Sequence, residues 1–213
     1  MTQTATPSAP YLKTAGSRLV LGLVVATSLL LLSSSAAAIQ FGKGTYGSCQ
    51  FGSCSISIGS SGSVAVNITP SASGACTIQK DAVTVTTSNS SGYTLTMTNS
   101  STNTALVNGV ASITASSATP ASPAALTANQ WGYRVDSVDG FGVGPTTAQT
   151  NISNPTTKFA GVPASNGTPS TLASTNAAAS SGATTNIWYG VCANTTIRNG
   201  TYTSSVTYTA VTN

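Results

Sequence analysis

The side chains that could do chemistry in this 213-residue chain are few, and the informative ones are cysteines and carboxylates. The chain has no His and no Glu. Its cysteines and aspartates are Cys49, Cys54, Cys76, Cys192, Asp81, Asp136 and Asp139. Without His, neither a Ser-His-Asp nor a Cys-His nucleophile system can be assembled, and a His-based metal centre is excluded. We therefore expect a protein that is not an enzyme, with no catalytic residue, no cofactor and no metal site.

All four cysteines follow an N-terminal apolar segment, and an even number of cysteines in an exported chain indicates disulfides. Three pairings are open. We favour Cys49–Cys54, a tight loop within CQFGSC, and Cys76–Cys192, which would tie an early strand to a late one. A bridge that encloses over a hundred residues contributes about 4–5 kcal/mol in the chain-entropy model. We expect disulfides, rather than buried charge, to hold the domain together.

The carboxylates give weaker signals. Asp136 and Asp139, in RVDSVDGFG, are three positions apart, which on a strand places them on opposite faces. A glycosidase-like carboxylate pair is therefore disfavoured. A weak Ca²⁺ site built from these two residues and loop carbonyls is conceivable, but we favour two solvated carboxylates in a turn.

Four aromatic residues form two short clusters. Trp131 and Tyr133 alternate along one segment, and Trp188 and Tyr189 are adjacent in another. Aromatic residues supply the largest burial per residue, so we favour a core role in a chain with few large apolar groups. The alternative is an exposed ligand platform on which sugar rings stack.

The composition favours strands. Charged residues make up 5% of the chain, against about 25% in an average domain. Ser, Thr, Asn, Gly and Ala replace them, and Thr and Val suit a half-buried pleated surface. The five cations after residue 38 are scattered singly, which does not fit a nucleic-acid binder.

Alternation with period two recurs after residue 38 and predicts short strands with one apolar face. The predicted inward residues are Ile56, Ile58, Val64, Val66, Ile68, Val83, Val85, Tyr93, Leu95, Met97, Trp131, Tyr133, Val135, Ile187, Tyr189, Val191, Tyr202, Val206, Tyr208 and Ala210. Asn108-Gly109 predicts a two-residue hairpin turn. Stretches 115–125 and 161–182 are predicted as long surface loops. The fold class we expect is all-β, an antiparallel β-sandwich of the immunoglobulin-like or pilin-like type.

The N-terminus has the three parts of a secretory signal. Lys13 and Arg18 precede the apolar run 19–32, and small residues 33–38 follow it. We favour cleavage after Ala38, so that 1–38 is a signal peptide and 39–213 a single domain. The alternative keeps 1–38 as an N-terminal hydrophobic helix and membrane anchor, although the apolar run is shorter than the about 20 residues that span a bilayer.

Three segments carry a family resemblance. GTYTSSVTYTAV at 200–211 resembles the closing strand of secreted bacterial surface sandwiches, among them pilin-like and spore-coat-U-like domains. SGYTLTM at 91–97 and NQWGYRVD at 129–136 resemble segments of wall-associated surface proteins of bacteria with Gram-positive-type envelopes. The resemblance implies a sandwich fold and a place on the cell surface.

These observations predict a non-catalytic, secreted or cell-surface protein with a structural or adhesive role. It would be a subunit of a pilus-like or coat-like layer, with itself or other surface proteins as partners. The alternative is a carbohydrate- or cell-wall-binding module that recognises a wall or host glycan with exposed aromatics. No nucleic-acid partner is expected, and membrane contact would occur only through the N-terminal segment.

Overall fold

A computed structural model describes residues 55–153 and 155–213, all within the compact unit Gly42–Asn213. Every regular element in these ranges is a strand, so the predicted all-β class is confirmed. The strands are β1 (Ile56–Gly59), β2 (Ala75–Thr87), β3 (Tyr93–Asn99), β4 (Leu106–Asn108), β5 (Ala111–Ala115), β6 (Ala124–Ala125), β7 (Gln130–Val135), β8 (Gln149–Ile152), β9 (Lys158–Phe159), β10 (Ser170–Thr175), β11 (Ala179–Ala193) and β12 (Val206–Thr212). The predicted signal peptide or anchor, 1–38, lies outside the described residues.

The strands form a curled half-barrel of mixed sheets. The large sheet has the order β1-β2-β11-β7-β5-β4, with β8 pairing β2, and a three-stranded sheet has the order β10-β3-β12. A short third sheet pairs β6 with β9. The purely antiparallel arrangement predicted from the sequence is wrong at one pair, because β5 runs parallel to β7. Parallel neighbours need a long return connection, and 116–129, which includes much of the predicted loop 115–125, supplies it.

The longest ladder joins β2 to β11. It runs from Ala75 opposite Ala193 to Thr87 opposite Ala179, with one register shift between Ala179 and Ala183. Cys76 and Cys192 face each other in this ladder, and their Cα atoms are 4.0 Å apart. They form a disulfide, which confirms the predicted bridge between an early and a late strand. The predicted Cys49–Cys54 bridge lies outside the described residues.

One face of the large sheet and one face of the three-stranded sheet meet in a common core. Most of the predicted inward residues occupy it. The buried ones are Val83, Val85, Tyr93, Leu95, Met97, Trp131, Tyr133, Val135, Ile187, Tyr189 and Val191. Alternation with threonine therefore predicted the inner face of β2 and β3, and the period-two spacing of Trp131, Tyr133 and Val135 and of Ile187, Tyr189 and Val191 predicted that of β7 and β11.

The opposite face of the large sheet is buried too, under β9. There Cys76, Ile78, Leu126, Phe159, Trp188 and Cys192 form a second cluster, which we call the outer cluster. Gly132 and Gly190 face each other on β7 and β11 and leave a slot for the Phe159 ring. A Cβ atom built on Gly190 would lie 2.6 Å from Phe159 Cζ, so any side chain there would displace the ring.

One strand prediction in the first third of the domain is wrong. No strand forms at Val64, Val66 and Ile68, although these side chains are half-buried and alternate with exposed neighbours. The segment packs against the core without a ladder partner, and a strand requires that partner. Ile58 lies opposite Val85 and therefore on the predicted inner face, but it is 42% exposed because β1 lies at the edge of the large sheet.

The predicted loop 161–182 is wrong in its second half. It contains β10, which pairs with β3, and the first residues of β11. Leu172 is fully buried and anchors β10, whereas its neighbours are Ser, Thr and Ala, which also suit a loop. A hairpin forms where it was predicted, but its two-residue turn is Gly109-Val110 and not Asn108-Gly109. Asn108 still belongs to β4 and pairs with Ala111, and Gly109 has the positive φ, +59°.

The glycine slot gives a stability prediction. Gly132→Ala should lower the free energy of unfolding by about 2 kcal/mol, because the new Cβ would lie 2.5 Å from the Ala160 carbonyl oxygen. Urea denaturation measures this. Gly59→Ala is the matched control, since a Cβ at this strand position meets nothing within 4 Å and should change stability by less than about 0.5 kcal/mol. Equal unfolding midpoints for the two variants would contradict the close packing of β9 on β7.

The Cys76–Cys192 disulfide gives a second stability prediction. Replacing both Cys76 and Cys192 by Ser should lower the free energy of unfolding by about 4 kcal/mol, because the bridge spans a sequence separation of 116 residues. Replacing Cys49 and Cys54 opens only a short loop and should cost about half as much in the same model. Urea unfolding of the wild type and of the two double variants measures both losses of stability. A larger loss from the short loop would contradict it.

Candidate functional site

The four aromatic residues of the candidate ligand platform are all buried. Trp131, Tyr133 and Tyr189 point into the core between the sheets, whereas Trp188 lies in the outer cluster on the opposite face. Tyr189, the most exposed of the four, is 7% exposed. Their ring faces are therefore not available to a sugar in this conformation.

Packing and hydrogen bonds account for most of this aromatic surface. The rings of Trp131 and Tyr189 stack with centroids 6.4 Å apart, and Tyr133 meets Phe141 edge-on at 5.6 Å. Trp131 Nε1 donates to the Thr104 carbonyl at 2.9 Å. Among the residues that the structure describes, the buried Tyr133 hydroxyl and Trp188 Nε1 have no hydrogen-bond partner.

Buried charge contributes to the fold after all, which corrects the expectation that disulfides replace it. Arg134 on β7 is 2% exposed, and its Nε and Nη2 atoms both lie 3.0 Å from Asp136 Oδ1. Nη2 also donates to the carbonyls of Phe141 and Gly142, and Nη1 donates to that of Lys158. The guanidinium therefore fixes the loop at 141–142 and the start of β9 against the outer face of the sheet, in addition to the ion pair.

The two aspartates of RVDSVDGFG have different surroundings. Asp136 holds Arg134, whereas Asp139 is exposed in the turn and has a φ of +49°. β7 ends at Val135, so neither residue lies on a strand. Across residues 55–153 and 155–213, no three His, Cys, Asp or Glu side chains are grouped as metal ligands would be.

The third aspartate, Asp81, belongs to a polar network between the two sheets. Asp81 is buried on the inner face of β2, and Tyr208 of β12 donates to its Oδ2 at 3.0 Å. The backbone N–H and the hydroxyl of Ser61 donate to Oδ1. The Tyr189 and Tyr208 hydroxyl oxygens are 2.6 Å apart. Because Tyr208 gives its proton to the carboxylate, Tyr189 donates to Tyr208.

The network holds the two tyrosines in their neutral form. Burial raises the pKa of Tyr189 and of Tyr208 well above 10, and the nearby Asp81 carboxylate raises both further. Burial also raises the pKa of Tyr133. Because the Tyr208 hydroxyl stays protonated, it keeps donating to Asp81, so the carboxylate remains satisfied where water is excluded.

The three-stranded sheet presents two uncharged edges. Within the described ranges, β10 and β12 each pair only with β3. Their sequences, STLAST and VTYTAVT, contain neither charge nor proline. Unpaired strand edges of this kind are templates for pairing with another chain, and they lack the charges and prolines that usually prevent it. Val211 on β12 is 51% exposed.

Within residues 55–153 and 155–213, no helix is both long and apolar enough to cross a membrane.

The tyrosine network predicts how stability changes at alkaline pH. Unfolded tyrosines lose their protons near pH 10, whereas Tyr189 and Tyr208 keep theirs in the folded protein, so stability falls as the pH rises above about 10. Tyr189→Phe should make this decline shallower by about 1.4 kcal/mol per pH unit. Urea denaturation between pH 8 and pH 11.5 measures it.

At pH 8, where unfolded tyrosines are protonated, the same variant should lose only the contacts of the Tyr189 hydroxyl with the Tyr208 oxygen and the Met97 sulfur, about 1 kcal/mol. Parallel stability curves for the wild type and the variant above pH 10 would contradict a neutral, buried Tyr189.

Comparison of the chain with models of protein families, with curated proteins and with solved structures finds no match.

Proposed function

We propose that this chain is a non-catalytic, exported structural or adhesive protein of the cell surface, a subunit of a pilus-like or coat-like layer that assembles through strand edges. The observation that carries this proposal is the pair of uncharged edges, β10 and β12, on the three-stranded sheet. A monomer that must stay monomeric protects such edges with charge, proline or a covering element. A subunit that assembles uses them, because each added strand satisfies a row of backbone groups.

The compartment is supported by the Cys76–Cys192 bridge and by the secretory pattern of 1–38. Disulfides persist in oxidising compartments such as the cell exterior and are rare in the cytosol. The chain is kept hydrophilic mainly by Ser, Thr and Asn, because charged residues make up only 5% of it. Assembly of such subunits therefore meets little electrostatic repulsion.

The finer architecture is part of the proposal. A two-layer sandwich of the immunoglobulin-like or pilin-like type is supported by the inner faces of the two larger sheets, which share one core. The pilin-like and spore-coat-U-like resemblance of 200–211 supports it as well, since this stretch includes the edge strand β12. Its partners would be further copies of the chain or other surface proteins.

Charge placed on these edges tests the assembly. Val211→Lys on β12 and Thr171→Lys on β10 should each reduce self-assembly of the mature, oxidised protein, because a lysine on an edge opposes pairing with a second strand. Both positions are exposed, so the free energy of unfolding should change by less than about 0.5 kcal/mol. Electron microscopy and sedimentation report the assembled fraction.

The matched control is Val110→Lys. Val110 is 94% exposed at the tip of the β4–β5 hairpin, so the same substitution adds the same charge away from both edges. It should assemble as the wild type does. Wild-type protein that stays monomeric at high concentration, or edge variants that assemble as well as the control, would overturn the subunit proposal.

A further inference from the structure

A polar cleft lies over the outer face of the large sheet, beyond the end of β7. It has a volume of about 480 Å³, which is within the range of sites for small ligands. Its walls are a glycine-rich loop, 140–145, on one side and Thr156, Thr157 and Lys158 on the other. Arg134 and Gln149 complete the lining. None of the four aromatic residues considered as a sugar platform lines this cleft.

The charge in the cleft is positive. Arg134 and Lys158 line it, and no carboxylate does, although Asp139 immediately precedes the lining residue Gly140. Asp136 neutralises Arg134 from behind. In the described part of the chain Lys158 has no carboxylate within ion-pair distance, and its side chain is exposed. One positive charge is therefore available to an anionic group in the cleft.

The walls of the cleft are held in place by the fold. Arg134 binds the Phe141 and Gly142 carbonyls of one wall and the Lys158 carbonyl of the other. Phe159, next to Lys158, fills the glycine slot of the outer cluster. A Cβ on Gly144 would collide with Asp136 and Arg134, so the loop can lie this close to the ion pair only as glycine. Such a site loses little entropy when a ligand binds.

The remaining lining suits a sugar. Gln149, Thr156 and Thr157 supply an amide and two hydroxyls that can exchange hydrogen bonds with ring hydroxyls. Val143, which is 89% exposed, and Pro145 give the rim a small apolar surface for the non-polar face of a pyranose. We propose that this cleft binds a saccharide bearing a carboxylate, with Lys158 as its charge partner.

This inference rests on the proposed adhesive role and names the class of ligand for it. A carboxylated saccharide can belong to the wall of the producing cell or to a glycan of another cell. Both present a hydroxylated ring with one anionic group, so the cleft recognises their shared chemistry.

Binding to immobilised polygalacturonate by the mature, oxidised protein tests the proposal, with neutral dextran and poly-glutamate as reference surfaces. We expect retention on polygalacturonate above both references. Lys158→Gln should weaken it about fivefold, the upper end for an exposed ion pair. Arg198→Gln removes an equal charge from an exposed turn outside the cleft and should leave retention unchanged. Gln149→Ala, a neutral change within the cleft, should also weaken it.

Equal losses for Lys158→Gln and Arg198→Gln, or equal retention on poly-glutamate, would overturn the proposal, because general charge would then explain binding. The same variants are then compared on purified cell wall and on sialylated mucin. If Lys158→Gln weakens binding to mucin but not to wall, the ligand is a glycan of another cell. If it weakens binding to wall but not to mucin, the ligand belongs to the wall. Wild-type protein that assembles but does not bind polygalacturonate overturns this inference alone. Binding by wild-type protein that does not assemble overturns only the subunit role. If both proposals hold, the Val211→Lys variant loses assembly and still binds polygalacturonate.

Discussion

The antiparallel ladder between β2 and β11 is the constraint on which the rest of the structure depends. It joins residues far apart in the sequence, from Ala75 opposite Ala193 to Thr87 opposite Ala179. β1 and β8 pair with β2, and β7 pairs with β11, so the large sheet is built outward from this ladder. Closing so long a loop costs chain entropy. The Cys76–Cys192 bridge already holds the two strands together in the unfolded chain, so less entropy is lost on folding. The disulfide therefore stabilises the pairing on which both buried faces depend.

The low charge of the chain requires neutral side chains to satisfy its buried polar groups. Asn89 is fully buried, and its amide donates to the carbonyls of Gly92 and Asn213. Asn99, also buried, donates to the hydroxyl of Ser204. Both residues lie where strands end or turn, and each joins chain segments that are distant in sequence. Side-chain amides and hydroxyls thus perform the role that ion pairs have in more charged domains.

The sequence predicted the inner face of the large sheet better than any other feature. Val83 and Val85 alternate with threonine, and Leu95 and Met97 do the same, which identifies the buried side without knowledge of the partner strand. The outer face was missed, although a signal existed: Ile187 to Val191 form an almost unbroken apolar run, which is typical of strands buried on both faces. A search for alternation identifies one buried face of a strand and does not detect a second one.

Other features could not be predicted because they depend on contacts between distant segments. β10 is made of Ser, Thr and Ala around a single leucine, and only its pairing with β3 distinguishes it from a loop. Asp81 and Tyr208 are 127 positions apart, and no local pattern connects them. Arg134 reads as one of the chain's scattered cations, whereas its burial follows from the loops that fold back over it.

The outer cluster connects the disulfide to the cleft. Cys76 and Cys192 belong to it, together with Phe159, and Phe159 directly follows the cleft residue Lys158. The same segment is bound from the other side by Arg134, whose guanidinium contacts the Lys158 carbonyl. Loss of the bridge would loosen the packing of two of the six buried members of the cluster. Because so few residues pack against Phe159, this would weaken the contacts that hold β9 on the sheet. The geometry of the cleft is therefore tied to the oxidised state of the ladder.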